Sequence, residues 1–265
     1  MGEIDEAAIA RDRVRPLAAA GGVLRGLGRG VVRLAIPAHC LACERPVATD
    51  GTLCPDCWGL LRLIEQPFCD RLAIPFAYEP GDGALSPEAI ADPPPFARMR
   101  AVAIYGPVAR QLVHGLKYRD HLDLARWMGG WMARAGGDLL ATADLVVPVP
   151  LHRARLWWRR FNQSAALAAE IARASGAAFA PTVLSRPRST RRQVGLSATE
   201  RRVNVRGAFR VVEEVKPLIA GRRVVLVDDV YTTGATAKAA TRALLRAGAA
   251  CVDLLVFARV ARGES

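Results

Sequence analysis

No apolar run in this 265-residue chain approaches the roughly 18 residues that a membrane-spanning helix needs, so insertion into a bilayer is not expected. The first 36 residues also lack the marks of a secretory signal. They open with Glu3, Asp5 and Glu6 instead of cations, and Arg interrupts their apolar stretches. They read as an amphipathic helix that docks on the protein, and the chain reads as cytoplasmic. No internal repeat is apparent. Acids are in deficit: 37 Lys and Arg face 25 Asp and Glu, and the net charge of +12 calls for a polyanionic partner or substrate. A hydrophobic content of 51% excludes general disorder.

What is present divides into four stretches: a helical segment 1–36, a cysteine module 37–75, a linker 76–95 dense in Pro and Gly, and a larger α/β domain 96–265. In the last, strand and helix signals alternate. Ala101 to Tyr105 and Leu145 to Val149 read as strands, and Phe161 to Ala174 as a helix with Asn162 as its N-cap. Val224 to Val227 is wholly apolar, as befits a strand covered on both faces of a parallel sheet. A helix over Ala235 to Ala247, stopped by Gly248, and a final strand from Cys251 to Ala258 complete the pattern, with Cys251 expected in the core. The alternation predicts a doubly wound parallel sheet.

Four of the six cysteines fall as Cys40-x-x-Cys43 and Cys54-x-x-Cys57. Two such knuckles place four thiolates around a structural zinc, with every position filled by protein. A redox pair is the alternative, and without an export signal the spacing favours metal over disulfides.

The chemistry concentrates after the apolar strand, where Asp228 and Asp229 are followed by Thr232-Thr233-Gly234-Ala235-Thr236. In an open parallel sheet, ligands bind at the carboxyl ends of strands. Paired carboxylates there accept hydrogen bonds from vicinal hydroxyls or help to hold Mg²⁺. The hydroxyl-rich loop and the helix start behind it suit a phosphate. Acid pairs at strand ends also serve phosphoryl-accepting sheets, and a Gly-Ala-Thr turn can be only a cap; neither alternative needs the hydroxyl loop directly after the acids. Two basic clusters stand apart. One holds eight arginines from Arg186 to Arg210 against Glu200. The other, Arg153-Ala-Arg-Leu-Trp157-Trp158-Arg-Arg160-Phe161, interleaves aromatics and cations as single-strand binders do, although these tryptophans would equally serve to cap a sheet edge.

Val224 to Thr236 resembles the signature of type I phosphoribosyltransferases, which bind 5-phosphoribosyl 1-diphosphate (PRPP). His114-Gly-Leu-Lys-Tyr118, Val147-Pro-Val-Pro-Leu-His152, Arg160-Phe-Asn-Gln163, Gln193-Val-Gly-Leu196 and Arg202-Val-Asn204 follow in an order that, with the cysteine module, resembles the ComF family of competence-associated phosphoribosyltransferase-like proteins. The resemblance implies that Asp228 and Asp229 meet the ribose hydroxyls and that Thr232, Thr233, Gly234, Ala235 and Thr236 hold the 5′-phosphate. By the same likeness Val149, Pro150, Leu151 and His152 would face the diphosphate, with Arg153 just beyond and Lys117 within reach of a phosphate. Mg²⁺ would accompany PRPP, and a hood over Ser189 to Thr199 would bring Arg191 or Arg192 to developing charge, Arg191 joining the two acids in catalysis. The function implied is that of a PRPP-binding protein in DNA uptake, with single-stranded DNA and competence proteins as partners. The alternative is an active phosphoribosyltransferase on an unidentified nucleobase or other small acceptor, for which the sequence carries no recognisable grip. Many relatives carry a further cysteine pair; here Cys69 stands alone before Asp70 and Arg71, so a second metal knuckle is not expected.

Overall fold

The computed structural model describes residues 38–81, 83–118, 122–152, 161–187 and 207–261. The expected N-terminal helix 1–36, the basic segment 153–160 with Arg153, and the hood with Arg191 and Arg192 lie outside the described residues.

Five parallel strands form the central sheet: β1 (Met99–Ile104), β2 (Leu145–Pro148), β3 (Ala178–Phe179), β6 (Arg223–Tyr231) and β7 (Cys251–Arg259), in the order β1-β7-β6-β2-β3. A small antiparallel pair, β4 (Leu184–Ser185) and β5 (Arg210–Val211), lies apart from it. Alternate residues of β6 serve opposite faces. Val224 and Leu226 join one core cluster, and Val225 and Val227 join the other. All four are almost wholly buried, each contributing about 1.5–3 kcal/mol of burial, which is why a run without alternation makes the central strand. Helices α3 (Pro107–Tyr118), α4 (Leu122–Ala135) and α6 (Gln163–Ser175) cover the Val225 face, and α8 (Ala235–Arg246) covers the Val224 face. Gly129 lets α4 close on α6, since a β-carbon there would strike the Glu170 side chain. Short helices α5 (Gly137–Leu140) and α7 (Lys216–Ile219) fill connections.

The cysteine-bearing segment closes the edge of this sheet. Leu63 bridges Ala103 of β1, the Ile64 amide donates to Val102 O (2.9 Å), and the Ile104 amide donates to Arg62 O (2.8 Å). An edge strand that would offer unpaired backbone is thereby covered. Before this crossing, Cys40, Cys54 and Cys57, with helix α1 (Pro55–Leu60), pack on the Val225 face. After it, Cys69, Leu72, Ala73 and Ala89, with helix α2 (Pro87–Ala91), pack on the Val224 face.

Four expectations need correction. The stretch read as a wandering linker holds α2, which starts because the Ser86 side chain accepts from the Ala89 amide and Pro87 sits in the first turn. Cys251 is only half-buried, because it is the first residue of β7, opposite exposed Arg223. Arg186, counted with the basic cluster that points to a polyanion, is instead buried with its guanidinium 5.1 Å from the centre of the Phe209 ring. The two halves of the cysteine segment also repeat each other in backbone geometry. His39 bridges Pro46 and Phe68 bridges Pro75, and among the described residues Glu44 and Ala73 are the non-glycine positions with positive φ, at +62° and +48°. Sequence hides the repeat because the side chains of the second half have changed chemistry.

Candidate functional site

The strand order reverses between β2 and β6: from β2 the chain moves outward to β3, then returns to the other side of β2. Such a switch point opens a crevice at the carboxyl ends of the strands. β2 pairs with β6 as far as Pro148 opposite Val227, the Val149 amide donates to Val227 O (2.9 Å), and the chain then departs. β6 continues against β7 until Tyr231 opposite Arg259. Asp228 and Asp229 thus lie inside a strand, at the point where one of its neighbours has left. They are supported by β7 and open towards the crevice.

Three elements converge on these carboxylates. The Ser164 hydroxyl, in the first turn of α6, donates to Asp228 Oδ1 (3.0 Å), which also accepts from the Asp229 amide (2.9 Å). Lys117, in the last turn of α3, places Nζ 2.5 Å from Asp229 Oδ2. Asp229 Oδ1 accepts from the Val230 amide (2.8 Å). Asp228 is half-buried at the crevice. Burial, and then the neighbouring Asp229 carboxylate, raise its pKa to about 7 against the lowering pull of its hydrogen bonds and Lys117. The site therefore holds a carboxyl poised near neutrality beside one paired with a cation.

The loop after β6 turns through Gly234, whose φ of +73° leads into α8. Glycine is required twice over, by that φ and because a β-carbon would fall on the Tyr231 ring and hydroxyl. Tyr231 is in turn held edge-on by Phe96, with ring centres 6.1 Å apart. The first-turn amides of α8 have no acceptor within the helix, and its dipole favours an anion at that end. Thr232 is exposed, while Thr233 Oγ1 is buried and has no hydrogen-bond partner among the described residues. A buried hydroxyl without a partner costs free energy unless a ligand supplies one.

The remaining edge of the crevice is formed where Val149, Pro150, Leu151 and His152 leave β2. Asn162 pins that exit: its Nδ2 donates to Val149 O (3.1 Å) while its Oδ1 caps α6 by accepting from the Ser164 amide (3.1 Å). The fold brings together Asp228, Asp229, Lys117 and the loop Thr232 to Thr236, with Val149 one residue along the ladder. It does not describe Arg153 or Arg191. Sequence reasoning missed Ser164, and missed the second role of Asn162. Buried Gln163, whose Oε1 is also without a partner among the described residues, stands out in the sequence only as the end of the Arg160-Phe-Asn-Gln163 motif. The available signal was the Asn-Gln-Ser run at a helix start, where capping explains Asn162 and leaves two polar residues unaccounted for.

A second centre lies in the first half of the cysteine segment. The sulfurs of Cys40, Cys43, Cys54 and Cys57 lie within 4.8 Å of one another, and among the described residues no other such group of potential ligands occurs. The Cys43–Cys54 sulfur separation of 3.7 Å matches the edge of a tetrahedron with metal–sulfur bonds of about 2.3 Å, so the residues fit structural zinc. Arg45 donates to the Cys43 sulfur (3.4 Å) and to that of Cys54 (3.6 Å), and pairs with Asp56 at 2.6 Å. The Arg45 contact lowers the Cys43 thiol pKa to about 6, favouring the thiolate a metal requires.

Residues 31–89 match the double zinc ribbon domain family, and residues 163–265 match the phosphoribosyl transferase domain family. The chain is 34% identical over 227 residues to the DNA utilization protein YhgH of Escherichia coli K12, covering 83% of this chain and 89% of that protein. It is 31% identical over 153 residues to competence protein F of Haemophilus influenzae, covering 56% of this chain and 66% of that one. Among solved structures, the allosteric regulatory enzyme of purine biosynthesis aligns with 54% of this chain and 30% of its own, at 25% identity and a TM-score of 0.37.

Proposed function

The chain belongs to the ComF family, with the DNA utilization protein YhgH and competence protein F as relatives, and on that premise we propose that its crevice binds PRPP or a related phosphoribosyl compound in the service of DNA uptake. The observation that carries the proposal is the junction of β6 and α8. Two carboxylates, one of them paired with Lys117, stand directly before an anion-receptive helix start whose buried Thr233 hydroxyl lacks a partner among the described residues. A 5-phosphorylated ribose has the matching chemistry: vicinal hydroxyls for Asp228 and Asp229, and a dianionic phosphate for the Thr232 to Thr236 loop.

Asp228 and Asp229 are also the residues that would hold Mg²⁺ with a diphosphate. When bound, Mg²⁺ neutralises diphosphate charge and so eases its departure. The chain's own contribution is positional. Ser164 orients Asp228, Lys117 holds Asp229 and is within reach of an incoming phosphate, and Asn162 fixes the exit of β2. Either PRPP with Mg²⁺ or ribose 5-phosphate alone should raise the melting temperature, because both carry groups the crevice would hold. If neither compound shifted it, the reading would fail.

The names of the relatives and the net charge of +12 support nucleic acid as the macromolecular partner. Binding of a single-stranded oligonucleotide should then weaken steeply with salt. Affinity independent of salt would oppose phosphate-driven binding.

A further inference from the structure

The second half of the cysteine segment repeats the turn bonds of the first. The Cys40 amide donates to Arg45 O, and the Cys69 amide to Ile74 O, both at 2.8 Å. The Glu44 amide returns to Cys40 O (3.0 Å), and the Ala73 amide to Cys69 O (2.7 Å). Val47 donates to Ala38 O (2.8 Å), and Phe76 to Pro67 O (2.9 Å). The match continues into the helices. The Cys54 amide donates to the Cys40 sulfur and the Ser86 amide to the Cys69 sulfur, both at 3.2 Å. Cys54 and Ser86 are N-caps of nearly identical backbone conformation (φ/ψ −69°/161° and −70°/154°). Each side chain accepts from the amide three residues on, and each is followed by Pro and an acid. The ligand positions Cys40, Cys43, Cys54 and Cys57 therefore correspond to Cys69, Leu72, Ser86 and Ala89.

A double zinc ribbon implies two metal sites, but the second set here offers one thiol, one hydroxyl and two hydrocarbon side chains. Leucine and alanine donate no lone pair, and a neutral hydroxyl is a poor zinc ligand. The sixth cysteine, Cys251, begins β7 and cannot complete a second tetrathiolate with Cys69 alone. Cys69, Leu72, Ser86 and Ala89 are all buried, and Leu72 and Ala89 belong to the same apolar cluster as Phe96 and Met99.

We infer that this chain carries a single zinc, in the first ribbon, and that its second ribbon is a metal-free copy closed by Leu72 and Ala89 where the first has thiolates. Apolar burial and docking replace the ion. Buried Arg100 stacks on Phe68 with its guanidinium 5.0 Å from the ring centre, and pairs with Asp70 (2.5 Å) and with Asp138 of α5 (2.7 Å). Asp92, just after α2, pairs with Lys238 of α8 (2.7 Å). Phe96 buttresses Tyr231 beneath the Gly234 turn. The half of the segment that shares an apolar cluster with Tyr231 and Ala235 is thus the half that needs no metal.

Metal analysis of the purified full-length protein should find one zinc per chain. Cys69→Ser should leave that value at one, whereas Cys43→Ser should lower it. The triple variant Leu72→Cys, Ser86→Cys, Ala89→Cys should raise it to two and double the charge-transfer absorption of the cobalt-substituted protein. Two zinc ions in the wild type, or a loss of zinc in Cys69→Ser, would overturn the inference. A triple variant that still held one ion would overturn the equivalence of the two ribbons on which it stands.

Discussion

The Ser164 hydroxyl donates a 3.0 Å hydrogen bond to Asp228 Oδ1 and so ties the first turn of α6 to the acid pair of β6. Because that bond favours the ionised carboxyl, Ser164→Ala should raise the Asp228 pKa further above its ordinary value. Lost stability should be about 1.5–3 kcal/mol, the range for a hydrogen bond to a charged group. Carbonyl-carbon NMR titration reads the first effect and urea denaturation the second. An unchanged titration would mean that the hydroxyl does not act on Asp228.

Asp228 also sets a pH dependence. Its pKa is about 7 in the fold, against about 3.9 for an unfolded chain. Between those values the folded protein keeps a proton that the unfolded chain has released. Its contribution to stability is therefore present in acid and is lost as pH rises from about 4 to about 7, with no further change above. Asp228→Asn should remove this component, a slope of at most about 1.4 kcal/mol per pH unit. Denaturation midpoints of both proteins across that window provide the comparison.

Lys117 and Asp229 form a pair in which the acid is nearly buried and the cation is about one-quarter exposed. Lys117→Met should destabilise the protein towards the lower end of the roughly 3–5 kcal/mol seen when a buried acid loses its partner. Asp229→Asn added to it should recover much of that loss. The double-mutant cycle gives the coupling directly, and additivity would show that the pair is not coupled.

The pattern of strands was legible because β6 and β7 are long apolar runs with short connections. Their ends were not. Acids usually end a strand, so Val227 looked terminal, yet β7 runs alongside as far as Arg259 and carries Asp228 and Asp229 inside the ladder. The candidate loop from Thr232 to Thr236 was legible as a unit because its hydroxyls and Gly234 are contiguous. Ser164 and Lys117 reach the same acids from distant helices, a convergence created by the strand order that no local pattern encodes. Residues 76–95 read as linker because of their prolines and glycines, although Pro87 starts a helix there. The ribbon repeat was hidden because Leu72, Ser86 and Ala89 preserve the backbone path of the first ribbon while abandoning its chemistry.

The most direct measurement is a calorimetric titration of the zinc-loaded protein with Mg²⁺–PRPP, run beside Gly234→Ala and the double variant Asp228→Asn, Asp229→Asn. Gly234→Ala puts a methyl group onto Tyr231 at a positive φ, and the double variant removes both carboxylates from the crevice. Saturable one-to-one binding by the wild type, lost or weakened at least tenfold in both variants while their circular dichroism is retained, is the predicted result. Absence of binding by the wild type, or equal affinity in all three proteins, would contradict a phosphoribosyl site at the junction of β6 and α8.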